Sequence, residues 1–278
     1  MELKRIERPA TFKHLCNPGD LIAAMCAMKG YHRETGRKVR VLQELNTNAQ
    51  YYPGAVHGTT DEHGQQVCMN QHIFDMIKPL VESQPYIESM EVFSGQEVDI
   101  DLDVIRKKTF VNIPHGLIQT WVFLAYPDLY WDLSKDWITL PETDLPIVNF
   151  IKDKIILNFT ERYRNGLIHY HFLKKYQSQL VFAGTEREYL LFTNKWRLDI
   201  PRLEVKDFLE LAYAVKNCKF LLANQSMNYN LSYSMHTPHV LEMCEFASNC
   251  PTFTYENSYG FYHQVNVEYY CHRLMGEM

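Results

Sequence analysis

FKHLCNPGDLIAAMCAM, residues 12 to 28, is the stretch whose reading decides the fold. It reads as a strand, then a tight polar turn at Asn17-Pro18-Gly19-Asp20, then a helix whose apolar face carries Leu21, Ile22, Met25 and Met28. Proline fixes one dihedral of such a turn, and glycine permits a conformation that other residues resist. Asp20 falls where the helix begins. A carboxylate there can cap free backbone N–H groups and meet the positive end of the helix dipole. It can also do chemistry, because a strand-to-helix turn at the top of a parallel sheet is where ligands bind. Taken alone, the stretch leaves both readings open.

Outward from it, Lys38 to Gln43 is a strand, and strand–turn–helix–strand is a βαβ unit that builds a parallel sheet. Tyr51 to Gln66 is a polar, glycine-bearing loop over the open end of that sheet, a length that usually serves function. His57 and His63 lie in it, either as a metal pair, as ordinary exposed loop histidines, or facing an acceptor. Ile73 to Val81 has helical spacing, Glu91 to Phe93 is a short strand, and Asp99 to Lys107 is a loop with a short helix. Asp99-Ile100-Asp101-Leu102-Asp103 contains a DxD pattern, but an alternating edge strand or loop accounts for it without a metal.

The proline pair in LPETDLP, residues 140 to 146, marks a boundary. Beyond it the same grammar restarts. Lys154–Leu157, Leu180–Ala183, Phe220–Ala223 and His239–Met243 are strands, with helices at 170–175, after Gly184, at 207–215 and through Met235. Polar residues gather after each strand, where parallel sheets form crevice sites. Two α/β domains follow, 1–146 and 147–278, each a Rossmann-like parallel sheet. Ser258 to Leu274 is aromatic and reads as a helix that packs back on the first domain.

Composition narrows the class. The chain has 278 residues, enough for two domains at about 150 residues each. Hydrophobic residues are 46% and charged residues 22%, which excludes a disordered chain. A net charge of -5 and a pI near 6.2 disfavour duplex DNA as a partner. The basic runs Arg37-Lys38-Val39-Arg40 and Arg106-Lys107-Lys108 are short and read as solvated faces. Seven cysteines without a CxxC pair point to a reduced, cytoplasmic protein rather than a disulfide scaffold or zinc site. The charged start MELKRIERP lacks the apolar core of a signal peptide, and apolar runs such as Trp121–Tyr126 are too short for a transmembrane segment. Neither GxGxxG nor GxxxxGKS occurs, which counts against dinucleotide oxidoreductases and P-loop enzymes.

Three stretches in order, NPGDLIAAMCAMKGYHRETGRKVRV (17–41), LVFAGTEREYL (180–190) and DFLELAYAVKNCKFLLANQSMNYNLSYSM (207–235), resemble the GT-B fold glycosyltransferases, and within them the heptosyltransferase-like group, glycosyltransferase family 9. The resemblance implies two Rossmann-like domains facing across a cleft, with a nucleotide-sugar donor on the second. Asp20 matches the family's proposed base, which takes the proton of an acceptor hydroxyl. Arg162 and Arg164, with Thr160 beside them, become candidate diphosphate contacts; surface ion pairing is the alternative for both arginines. Gly184 and Glu186 match a turn where a carboxylate binds ribose hydroxyls, or caps a helix. Asn224 lies in the nucleotide-contacting turn, and Ser226, Met227 and Asn228 begin a helix whose N–H groups can receive a phosphate. Here the chain departs from the family, which commonly has Asp and Gly followed by His in that turn. His14, Asn17, Gly19 and His57 are candidate acceptor or sugar contacts. Transfer is expected to need no metal and no cofactor beyond the nucleotide-sugar, with a glycan, lipid-linked or other hydroxyl acceptor and no stable nucleic-acid partner. Two other readings stay open: a non-catalytic nucleotide or nucleotide-sugar binding protein, and a phage-type DNA-modifying glycosyltransferase.

Overall fold

The computed structural model describes residues 8–49, 51, 54–106, 117–244, 247 and 255–277. Tyr52 and Pro53 of the expected loop, Lys107 and Lys108 of the second basic run, and Cys250 lie outside them. The chain divides into two units, Met1–Leu140 with Asp207–Leu209, and Pro141–Lys206 with Glu210–Met278. Each has its own parallel sheet.

In the first unit, β1 (Ala10–His14), α1 (Pro18–Thr35) and β2 (Val39–Gln43) form the expected βαβ unit. α2 (Gln71–Glu82), β3 (Ile87–Val92) and β4 (Ile100–Asp101) complete a sheet ordered β3-β2-β1-β4, every pairing parallel. β3 starts earlier than its sequence pattern announces because it is an edge strand. Its acids face solvent and pair outward, Glu88 with Lys38 and Glu91 with Arg40, which hides the strand behind charge. The acidic run at 99–103 is indeed part edge strand, β4. α1 is buried nearly all round, its buried residues including Leu21, Ile22, Met25, Met28 and Tyr31. Fully buried Trp137 donates its indole N–H to the Ile22 carbonyl at 2.8 Å. Gly30 is required where α1 passes the chain at Leu129: a Cβ there would stand 2.2 Å from the Leu129 carbonyl oxygen. The apolar run at 117–126 becomes a 3-10 turn (Ile118–Thr120) and the short helix α3 (Trp121–Ala125).

The second unit opens with α4 (Pro146–Ile151), which starts on the second proline of the boundary stretch; Pro146 is its first residue, where a missing N–H costs nothing. β5 (Ile155–Asn158), β6 (Leu180–Phe182), α5 (Glu186–Trp196), α6 (Phe208–Asn217), β7 (Phe220–Asn224), α7 (Met227–Ser234) and β8 (His239–Glu242) follow. A 3-10 helix (His171–Gln179) replaces the short helix expected near Tyr170. The aromatic stretch after 258 is not one helix. Ser258–Phe261 is β9, an edge strand, and only Gln264–Met275 is helix, α8. The sheet order is β6-β5-β7-β8-β9, again wholly parallel. β5, β6, β7 and β8 are buried along their whole length, as strands covered on both faces must be. An aromatic cluster centred on Phe159, Tyr170, Phe192 and Trp196 fills one side, with Phe159 stacked on Phe192 at 4.6 Å. Val267 and Cys271 seat α8 in this same core.

Candidate functional site

In both sheets the strand order reverses beside the first strand of the unit, between β1 and β4 and between β5 and β7. In parallel α/β sheets the carboxyl ends of strands at such a reversal open into a ligand crevice. His14, Asn17 and Asp20 fall at the end of β1, and Thr160, Arg162, Arg164, Asn224 and Ser226 at the ends of β5 and β7.

In the first unit the parallel register sets His14 beside Gln43, the last residues of β1 and β2. The Gln43 amide donates to the carbonyls of Glu44 (2.9 Å) and Cys16 (3.4 Å), so its oxygen faces His14 and accepts from Nδ1 at 2.9 Å. Asn17, not Asp20, is the N-cap of α1, and its side chain does not bond the helix backbone. Asn17 Nδ2 instead donates to Asp20 Oδ2 at 3.3 Å, and the Tyr51 hydroxyl reaches Asn17 Oδ1 at 3.0 Å. The capping reading of Asp20 is therefore corrected: it sits within the first turn, its carboxylate turned to Arg106. Arg106 Nη2 donates to Asp20 Oδ1 at 2.5 Å, while its Nε stands 3.2 Å from Asp103 Oδ1. Asp103, buried, also accepts the Leu15 N–H at 2.7 Å, which pins the β1–α1 turn. The Trp121 ring lies under the Arg106 guanidinium at 5.6 Å. His14, Asp20, Asp103, Arg106 and Trp121 line one narrow pocket.

Electrostatics in that pocket are set by the arginine. Burial presses the Asp20 carboxyl upward, but the Arg106 charge, neighbouring His14 and hydrogen bonds from Arg106 and Asn17 outweigh it and hold its pKa below the ordinary aspartate value. Asp20 is thus ionised at neutral pH, the form that accepts a proton. Gly19 is buried in the first turn of α1. His57 is also buried, not exposed: Nε2 donates to the Val67 carbonyl at 2.8 Å, and Nδ1 lies 3.3 Å from the Tyr51 hydroxyl. It braces the 51–67 loop. His63 remains on the surface beside Glu62. Among the described residues no group of three or more His, Cys, Asp or Glu is placed to hold a metal ion.

In the second unit the loops after β5, β6 and β7 are laced together by amides. Asn224 Oδ1 accepts from the Thr160 N–H at 3.0 Å, and its Nδ2 donates to the Arg162 carbonyl at 2.6 Å. Asn158 Nδ2 donates to the Ala183 carbonyl at 2.5 Å, while its oxygen accepts from the Ser226 hydroxyl at 2.5 Å. Ser226 is the N-cap of α7, Met227 its first residue, and buried Asn228 reaches the Ala183 carbonyl at 3.4 Å. Gly184 holds a close approach, since a Cβ would meet the Phe182 ring at 2.7 Å. The capping alternative for Glu186 fails because Thr185 caps α5, in a capping box with Glu188; Glu186 is exposed.

The two arginines part company. Arg164 Nε donates to Glu242 Oε1 at 3.0 Å, and its guanidinium lies 4.7 Å from the Phe159 ring. Glu242 is fully buried at the end of β8 and also accepts from the Asn165 N–H (2.6 Å) and the Tyr170 hydroxyl. Arg164 is thus half of a buried ion pair, not a surface one. Arg162 lies over the Tyr163 ring at 5.7 Å, on the turn that Asn224 holds.

Sequence reasoning missed Asp103, Arg106, Trp121 and Glu242. The i,i+3 spacing of Asp103 and Arg106 is a usable signal, masked because Arg106 also opens a basic run. A carboxylate ending the apolar strand HVLE was another.

No protein-family model matches the chain, and no curated protein matches it in sequence. Solved structures do match. The chain is similar to the glycosyl transferase family 9 from Veillonella parvula DSM 2008, with 12% identity and a TM-score of 0.58 over 100% of this chain and 91% of that one. It is similar to E. coli ADP-heptose lps heptosyltransferase II, with 10% identity and a TM-score of 0.52 over 97% and 99%. E. coli heptosyltransferase WaaC with ADP aligns at 9% identity and a TM-score of 0.51 over 84% and 87%. At these identities the likeness is one of fold: two parallel-sheet α/β domains shared with glycosyltransferases, as the sequence resemblance implied.

Proposed function

We propose that the chain is a glycosyltransferase that moves a sugar from a nucleotide-sugar donor to a hydroxyl acceptor, with Asp20 as the base. The observation that carries this reading is the Asp20 carboxylate, which lines a pocket at the strand reversal of the first sheet and is held there by Arg106. A base must hold a lone pair before the reaction and sit on a rigid support. The Asn17-capped helix and the Arg106 bridge supply both. As the anomeric carbon is attacked, the acceptor's O–H proton passes to Asp20, and the protonated carboxyl weakens its pairing with Arg106.

The donor's nucleotide belongs to the second unit in this reading, at the loops laced by Asn158, Asn224 and Ser226. Negative charge on the departing diphosphate is met by Arg162 and the N–H groups opening α7, so no metal is invoked. Arg164 is a support for that loop. His14 and Asn17, flanking Asp20, are the acceptor-side contacts. The acceptor is a glycan, a lipid-linked sugar or another hydroxyl compound, and the reaction belongs to the cytoplasm. No helix among the described residues is long and apolar enough to cross a membrane.

Incubation with a panel of sugar nucleotides tests this. One member should raise the melting temperature and release its nucleoside diphosphate when an acceptor is added. A second reading, a nucleotide-sugar binding protein without catalysis, has one observation on its side, the engagement of Asp20 by Arg106. It predicts the thermal shift without the release.

A further inference from the structure

The pocket that Asp20 lines has hydrogen-bonding capacity that the chain leaves unused. Its volume is about 20 Å³, room for about one water or one hydroxyl. Asp103 and Arg106 are occupied, by each other, by Asp20 and by the Leu15 N–H. His14 and Trp121 line the same pocket and are not. Gln43 fixes the tautomer of His14. Gln43 is wholly buried and its amide N–H groups go to the carbonyls of Glu44 and Cys16, so only its oxygen is left for His14. Nδ1 therefore carries the ring proton, and Nε2 of the neutral ring is a bare lone pair. β1 lies between β2 and β4, so Gln43 holds Nδ1 on the β2 side, whereas Leu102 and Asp103, after β4, wall the pocket. Among the described residues nothing hydrogen-bonds to Nε2. Trp121 offers the opposite polarity. Its indole N–H is buried without a partner, and its ring rests on Arg106. A buried N–H without an acceptor costs stability, so the Trp121 N–H marks a place where an oxygen belongs.

Two lone-pair groups and one N–H donor thus surround one small space. A single hydroxyl cannot answer all three, because it has one proton: given to Asp20, it leaves His14 unmet. Two neighbouring hydroxyls can. We propose that His14 and Trp121 are specificity-determining residues that bind a second hydroxyl of the acceptor, next to the one Asp20 deprotonates, so that the acceptor is a vicinal diol. The second hydroxyl donates to His14 Nε2 and accepts from the Trp121 N–H, and no bond breaks there. Exposure assigns the two places. His14 is 2% exposed and takes the inner hydroxyl. The Asp20 side chain is 18% exposed and stands at the mouth, where the outer hydroxyl keeps its proton for the carboxylate and a lone pair for the anomeric carbon. An alcohol without the inner hydroxyl leaves a buried lone pair and a buried N–H unpaired, the kind of mismatch that discriminates strongly between substrates. That the diol is a sugar acceptor rests on the proposed function; the diol site does not.

The test uses the full chain and two probes, cis-1,2-cyclohexanediol and cyclohexanol at equal concentration. Nitrogen-15 NMR reads binding without turnover, with the His14 ring and the Trp121 indole assigned by the signals lost in His14→Phe and Trp121→Phe. The native His14 ring should show its proton on Nδ1. The diol should shift both His14 Nε2 and the Trp121 N–H, and cyclohexanol should shift neither. A proton on Nε2, no shift with the diol, or equal shifts with both probes overturns the proposal. If His14→Phe fails to fold, the Trp121 signal of the native chain, assigned by Trp121→Phe, decides alone. With a sugar nucleotide that the chain turns over, nucleoside diphosphate release should be faster with the diol than with cyclohexanol by roughly tenfold or more. Trp121→Phe should bring that ratio toward one while the donor-induced thermal shift stays native; an unchanged ratio overturns the role of Trp121. A chain that turns over no sugar nucleotide refutes the transferase reading, and the probe shifts then still decide the diol site.

Discussion

Asp20 Oδ1 and Arg106 Nη2 stand 2.5 Å apart, although the residues are separated by 86 positions in the chain. The pair joins the first turn of α1 to the segment after β4, and so ties together the two strands that flank the reversal of the first sheet. Its side chains are partly buried, 18% exposed for Asp20 and 32% for Arg106. That burial gives the contact more weight than an open surface pair has.

Arg106→Gln should therefore raise the Asp20 pKa, because burial alone pushes it up once the opposing charge is gone. Carboxyl-carbon NMR titration reads this directly. The native pair lowers the folded pKa, so its stabilisation is complete above the unfolded value, ordinarily about 3.9. It is lost as pH falls through the lower folded value. At neutral pH the variant should lose roughly 1–3 kcal/mol, the cost of leaving a buried charged group without its partner.

Gly30→Ala tests the packing of α1. The added methyl would meet backbone at Leu129, which cannot swing aside as a side chain can. Thermal or urea denaturation should show a loss of about 1–3 kcal/mol, the usual range for overpacking. An unchanged melting temperature would mean that the chain at 129–130 shifts freely.

Arg164→Met separates two roles. The variant takes the cationic partner away from the buried Glu242 side chain, which should cost about 3–5 kcal/mol in a denaturant series. A variant of native stability that binds nucleotide more weakly would instead make Arg164 a phosphate ligand.

The strand–turn–helix of 12–28 was legible because it is local: proline, glycine and an apolar face fall within a few turns of chain. The βα alternation of the second half was legible for the same reason. What escaped were edge strands and partnerships. β3 and β9 carry charged or aromatic residues on an open side, so their period is weak. Asp20 looked like a cap by spacing alone, yet Asn17 takes that place and Arg106 takes the carboxylate. The pairings Asp20–Arg106 and Arg164–Glu242 depend on strand order, which no short window encodes. Arg162 and Arg164 look alike in sequence, but only Arg164 falls beside the end of β8.

His239 should govern part of the acid sensitivity. It is fully enclosed at the start of β8, with Nδ1 2.8 Å from the Tyr255 hydroxyl and Nε2 3.1 Å from that of Ser258. Burial pushes its pKa from 6.5 down to about 3. Between those values the unfolded chain binds a proton that the folded chain does not. Stability from this residue is therefore full above 6.5 and falls as pH drops toward 3, by up to about 1.4 kcal/mol per pH unit. His239→Gln should flatten that slope in urea midpoints taken across the window.

Turnover and donor affinity of Asp20→Asn, measured side by side, test the central claim most directly. Asparagine keeps the shape of the side chain but cannot serve as the base. Nucleoside diphosphate release should be abolished, while the nucleotide-sugar dissociation constant stays within about twofold of native, a difference of roughly 0.4 kcal/mol. A variant that still turns over at the native rate, or one that loses donor binding together with activity, contradicts Asp20 as the base.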